Sequence, residues 1–111
     1  IGSVSVIKKL NEYNFATGSS DSTIKIWDIN SETTLCTLQG HSRSVTSLEM
    51  LPNNALASGS CDNTIKIWNI SLTREIITLR SHYGCINSLK MYSFNSEKKL
   101  LSASLEKLIK V

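Results

Sequence analysis

Several things are scarce in these 111 residues. There is one proline, two histidines, three cysteines and only 6% aromatic residues. A single proline excludes a proline-rich linker or polyproline segment. No apolar run approaches the roughly 18 residues of a membrane-spanning helix, and no signal-peptide pattern is present. The net charge of +3 is mild, and Lys and Arg are interspersed with acidic residues without a run of one sign. That pattern gives no basic surface for nucleic acid or an anionic membrane. Cys36, Cys61 and Cys85 are odd in number, and no CxxC occurs. Zinc-ribbon and thioredoxin-like chemistry are therefore not expected. Reduced cysteines, in a cytoplasmic or nuclear protein, are the simplest expectation, with a redox switch as the alternative. There is no Gly-x-Ser-x-Gly elbow and no Gly-rich phosphate loop followed by a helix. No stretch carries a helical period.

What is present is repetition. The segment Gly40–Ile70, GHSRSVTSLEMLPNNALASGSCDNTIKIWNI, is partly repeated upstream as FATGSSDSTIKIWDI, from Phe15 to Ile29. A more divergent copy, LLSASLEKLIKV, runs from Leu100 to Val111. Trp27 to Trp68, Asp21 to Asp62 and His41 to His82 are each 41 residues apart. From Asp62 to Glu106 the offset is 44, with the extra residues falling in Ser93–Lys99. His41 and His82 therefore belong to different repeats and do not make a metal site.

Within each unit, apolar and polar residues alternate with a period of two, in runs separated by short polar turns. The expected strands of the first unit are Ser3–Leu10, Phe15–Ser20, Ile24–Ile29 and Thr33–Gln39. Those of the second are Ser44–Leu51, Leu56–Ser60, Thr64–Ile70 and Arg74–Arg80, with Pro52 in a turn. The third has Cys85–Tyr92, Lys99–Ser104 and Lys107–Val111 and no fourth strand. Every connection is short enough for an antiparallel hairpin. Val45, Leu48, Leu56, Ala57, Ile65 and Ile67 place apolar side chains on both faces of the second sheet. Such a sheet requires a neighbour on either side.

A period near 41, with a Gly-His at its start and a Trp-Asp at its end, resembles the WD-repeat family. The resemblance covers the whole chain and implies an all-β partial β-propeller of antiparallel four-stranded blades. The expected blades are 3–39, 44–80 and an incomplete 85–111, within one domain spanning 1–111. Propellers use about 4–8 blades, so both ends are expected to cut through a repeat. The resemblance further implies a non-catalytic scaffold that binds other proteins or peptides and the remaining blades of its own propeller. Neither cofactor nor metal is implied, nor a nucleic-acid or membrane partner. The alternatives are a substrate receptor of a ubiquitin ligase and the sensor domain of a larger WD-repeat signalling protein.

His41, Ser58, Asp62 and Trp68 are the residues that raise the question of chemistry, since Ser, His and Asp together suggest a hydrolytic triad. If Asp62-Asn63-Thr64 is a three-residue turn, Ser58 lies directly opposite Trp68 and can accept from its indole. By resemblance, His41 bonds to both Ser58 and Asp62. The matching sets are Thr17, Asp21 and Trp27 in the first unit, and His82 and Ser102, with Glu106 replacing Asp, in the third. An enzyme needs one triad rather than one per repeat, so a structural polar network is expected. The resemblance places partner contacts at Ser3, Ser5, Ser20, Ser44, Thr46, Cys61, Gly84, Asn87 and Leu105. These are small and uncharged, which suits a peptide backbone better than a phosphate, whose capture calls for Arg.

Overall fold

The computed structural model describes residues 3–51, 54–80, 84–94, 97–104 and 109–110, with side-chain detail ending at Leu89. Among these residues there are eleven strands in three antiparallel sheets. The first sheet is β1 (Val4–Lys9), β2 (Asn14–Ser19), β3 (Ile24–Asp28) and β4 (Thr33–Leu38), paired in chain order. The second is β5 (Val45–Leu51), β6 (Ala55–Ser60), β7 (Ile65–Asn69) and β8 (Arg74–Leu79), again in chain order. The third joins β9 (Ile86–Phe94), β10 (Glu97–Ser104) and β11 (Ile109–Lys110). The residues added to the third repeat lengthen a hairpin. β9 has nine residues against seven in β5, and the β9–β10 ladder continues to Phe94 and Glu97.

One register differs from expectation. Leu56, not Ser58, lies opposite Trp68, and Ser58 lies opposite Lys66. The ladder closes at Gly59 and Ile65, so the loop spans 60–64 rather than 62–64. Asn63, the fourth residue of that loop, adopts φ of 71°. Ser60 N–H donates to Thr64 O across it at 3.2 Å, and Asp62 caps it through Thr64 N–H at 3.0 Å. The first sheet has the same loop: Ser22 has φ of 79°, and Gly18 pairs with Ile24. Two extra loop residues displace the pairing by two positions. That preserves which face each side chain occupies.

The sheets pack face to face through the apolar faces that the alternation produces. Ala16, Ile24, Ile26 and Leu38 of the first sheet meet Val45, Leu48, Leu56 and Trp68 of the second in one buried cluster. Ala57 and Ile65, from the other face of the second sheet, meet Ile86 and Leu89 of the third. Close approach depends on one glycine per seam. A Cβ built on Gly18 would lie 2.6 Å from Val45 Cγ1, and one on Gly59 would lie 2.6 Å from Ile86 Cγ2.

Polar contacts fix the seams laterally. Ser5 hydroxyl donates to Val45 O and to Gly18 O. One repeat later Thr46 hydroxyl donates to Ile86 O and to Gly59 O. Lys8 Nζ reaches Glu49 Oε1 at 2.9 Å between the first and second sheets, with the Glu49 side chain almost wholly buried. Buried Lys66 donates to Glu75 Oε1 and Thr78 Oγ1, each at 3.0 Å.

The expectation of reduced cysteines is corrected. Cys61 and Cys85 form a disulfide, while Cys36 is free and half-buried. Cys61 lies in the β6–β7 loop, and Cys85 immediately precedes β9 in the adjoining sheet. Stacking the two sheets brings these positions together, although 24 residues separate them in the chain.

Candidate functional site

The polar network of the second sheet is assembled by four segments. β6 contributes Ser58, the following loop contributes Asp62 and Thr64, and β7 contributes Trp68. His41 enters from the connection between β4 and β5. Its Nε2 lies 2.7 Å from Ser58 Oγ and its Nδ1 lies 2.8 Å from Asp62 Oδ2. Trp68 Nε1–H donates to Ser58 Oγ at 2.8 Å. Ser58 and Trp68 are not directly opposed, but a diagonal neighbour on an antiparallel pair is within reach of a long aromatic side chain.

The donors determine the direction of the relay. An indole N–H can only donate, so Ser58 Oγ accepts from Trp68 and turns its own hydrogen to His41 Nε2. His41 Nδ1 then carries the ring proton and donates to Asp62. The carboxylate also accepts from Ser42 N–H at 3.0 Å, Thr64 N–H at 3.0 Å and Thr64 hydroxyl. Sequence reasoning missed Thr64 and the Ser42 amide as members. The repeated Asp-x-Thr of both loops was the available signal for the first.

Electrostatics agree with this assignment. Burial pushes the His41 pKa below its usual value, against an opposing pull from Asp62. The ring is thus neutral at neutral pH. For Asp62, burial works to raise the pKa, but hydrogen bonds from Thr64, His41 and Ser42 outweigh it and hold the carboxyl at about 2.

The connectivity, Ser to Nε2 and Asp to Nδ1, is that of a hydrolytic triad. The setting differs. Ser58 is fully buried, and the indole of Trp68, itself only 2% exposed, occupies a lone pair of its hydroxyl. His41 also packs edge-on to Trp68, with ring centroids 6.2 Å apart.

The first sheet repeats part of the set. Trp27 Nε1–H donates to Thr17 Oγ1 at 2.9 Å, and Asp21 accepts from Thr23 N–H at 3.0 Å and Thr23 hydroxyl at 2.6 Å. Thr17, Asp21, Thr23 and Trp27 border a cavity of about 250 Å³. In the third sheet, Ser102 pairs with Leu89 in the backbone ladder. His82 and the Ser102 side chain lie outside the described residues.

The expected partner positions divide into two groups. Ser3, Ser20, Ser44 and Cys61 gather at the end of the sheets that carries the β2–β3 and β6–β7 loops. Ser3 N–H donates to Ser20 Oγ at 2.9 Å, Ser20 N–H to Ser3 O at 2.9 Å, and Cys61 N–H to Ser44 O at 3.0 Å. Ser5 and Thr46, by contrast, direct their hydroxyls into the seams. Gly84 is half-buried beside the disulfide. Leu105 and the Asn87 side chain lie outside the described residues.

Among the described residues, no group of three or more His, Cys, Asp or Glu could hold a metal ion. No helix among them is long and apolar enough to cross a membrane.

Comparison with known proteins agrees with this geometry. The family model for "WD domain, G-beta repeat" matches residues 3–28 and 32–69. A guanine nucleotide-binding protein subunit beta from Schizosaccharomyces pombe is 38% identical over 53 residues, 48% of this chain and 17% of that protein. The chain therefore spans only a small part of that relative's length. Among solved structures, the WD40 β-propeller domain of Doa1 superposes with a TM-score of 0.87 at 24% identity, over 96% of this chain and 35% of that one. The computationally designed Ika4 protein superposes with a TM-score of 0.77 at 25% identity, over 92% of this chain and 61% of that one. The matched repeats take in more than half of the residues, and the sheets stack as propeller blades do. The chain belongs to the WD-repeat family, whose propellers are generally scaffolds for protein interaction.

Proposed function

We propose that this chain is part of a non-catalytic interaction scaffold, binding a peptide or protein segment at the end formed by Ser3, Ser20, Ser44 and Cys61. The observation that carries the reading is that the hydrogen-bonding side chains divide by location. The Ser58–His41–Asp62 set is buried under Trp68, where no substrate reaches it. The hydroxyls of Ser3 and Ser20 are at the surface beside a loop held by Asp21 and Thr23, and the neighbouring β6–β7 loop is held by the buried set. Small uncharged groups on a rigid loop platform suit recognition of an extended backbone or a short side chain. Arg43 adjoins Ser44 in the chain, but none of the four positions is itself an Arg, the residue that phosphate capture calls for.

The test is peptide selection from a random library that includes phosphorylated members, followed by amide chemical-shift mapping. Binding peptides should perturb Ser3, Ser20 and Ser44, and phosphorylation should not be required. Shifts confined to the opposite end, around Tyr13 and Ile29, or binding strictly dependent on phosphate, would contradict the reading.

A further inference from the structure

We propose that the Cys61–Cys85 bond is a reversible thiol–disulfide latch between the second and third sheets, closed and opened by exchange with glutathione. The two seams of the molecule make the case. Ser20 and Ser44 occupy the positions one repeat before Cys61 and Cys85, and the first seam stands there without a covalent bond. It is held by Val45 seated on Gly18 and by Ser5 donating to Val45 O. The second seam has the same contacts in Ile86 seated on Gly59 and Thr46 donating to Ile86 O, with Ser47 hydroxyl adding a bond to that carbonyl at 3.3 Å. The disulfide is thus added to a seam that is already complete. A switch requires this, because both of its states must be folded.

Access and competition favour the same pair. Cys61 and Cys85 are both partly exposed, in loop positions that a tripeptide thiol can approach. The stacking of the two sheets places them side by side, with Cα atoms 3.8 Å apart in the bonded state. Cys36 lies on β4, and burial pushes its thiol pKa up, which leaves little of the reactive thiolate.

Closure is ordinary exchange. One protein thiolate attacks glutathione disulfide, forming a mixed disulfide and releasing one glutathione thiolate. The second protein thiolate then attacks the protein sulfur of that bond and releases the other. Two protein thiols are oxidised, and one glutathione disulfide becomes two glutathione thiols. Opening is the reverse. In the closed state the β6–β7 loop is tied to the head of β9. That loop also carries Asp62, the acceptor of His41. Two separate thiols need more room than two bonded sulfurs, so opening loosens β9 at this end.

The chain is equilibrated in buffers of graded reduced-to-oxidised glutathione ratio, quenched in acid and alkylated, and the bonded fraction is read by mass spectrometry. Hydrogen exchange is measured in both end states. The bonded fraction should titrate reversibly, and Cys36→Ser should leave the curve unchanged. On opening, amides of residues 86–90 should exchange about tenfold faster while those of β1–β3 change less than about twofold. Cys61→Ser should show the open-state rates in every buffer. A bond that never forms, one that never opens, identical exchange of 86–90 in the two states, or loss of protection across the whole chain on reduction would each overturn the latch.

Discussion

Replacing Asp62 by alanine is the most informative perturbation of the polar network. Its carboxylate accepts from His41 Nδ1, Ser42 N–H, Thr64 N–H and Thr64 hydroxyl. The Ser42 amide lies at the surface, where water replaces the lost acceptor at little cost. His41 is buried, with no side-chain area exposed, and Thr64 is buried with it. Leaving a buried donor unsatisfied costs about 1–3 kcal/mol each, so two such donors put the loss at about 2–6 kcal/mol. A pH signature accompanies it. Asp62 has a folded pKa of about 2 against an unfolded value of 3.8. The folded value is the lower one, so this contribution is fully present above pH 3.8 and is lost as pH falls toward 2. Allowing for solvent screening, it amounts to about 1–2 kcal/mol. The assay is urea unfolding of the domain, followed by tryptophan fluorescence at pH 7 and through a series down to pH 2. The variant should be less stable at pH 7 and flatter below pH 4. A variant within about 0.5 kcal/mol of the original, with the same acid profile, would refute the reasoning.

Other outcomes follow from the same geometry. Loss of the Asp21 bonds to Thr23 at an exposed loop in Asp21→Ala should cost about 1 kcal/mol, and paired unfolding curves of the two Asp variants check this. Trp68→Ala should cost about 3–5 kcal/mol by opening a cavity between the first two sheets, measured in the same unfolding assay. Gly59→Ala should destabilise by about 1–3 kcal/mol through overpacking against Ile86, read from the midpoint of thermal unfolding. Ser44→Arg should create affinity for acidic peptides, and isothermal titration with a phosphopeptide and its unmodified form would show it. Val4 and Ile7 are 55% and 65% exposed on the face of the first sheet and should drive association of the isolated chain, which sedimentation velocity would reveal; a monodisperse monomer would contradict this.

Much of the fold was legible because it repeats. Two Trp residues and two Asp residues at a fixed offset located the units, and alternation such as Ile24, Lys25, Ile26 placed the strands to within a residue or two at most ends. Leu56 and Ala57, adjacent in sequence, do face opposite neighbours. The Ser58–Trp68 register was misread because an Asn at positive φ such as Asn63 fits loops of more than one length, and the sequence does not say which length is used. The hydrogen bond was still correctly expected, because a diagonal indole reaches what an opposed one would. Lateral relations between sheets were the least visible. Nothing local in the sequence says that Ser5 and Thr46 spend their hydroxyls in the seams, or that Cys61 meets Cys85. Those contacts depend on how one sheet stacks on the next.

The central claim is that the buried Ser58–His41–Asp62 set supports the fold and performs no hydrolysis. It is tested most directly by exposing the native domain to a fluorophosphonate probe of serine hydrolases and reading Ser58 by peptide mass spectrometry. Ser58 should remain unmodified, because the Trp68 indole and the surrounding strands exclude the probe. Stoichiometric modification of Ser58 in the folded protein, abolished by His41→Ala, would contradict it.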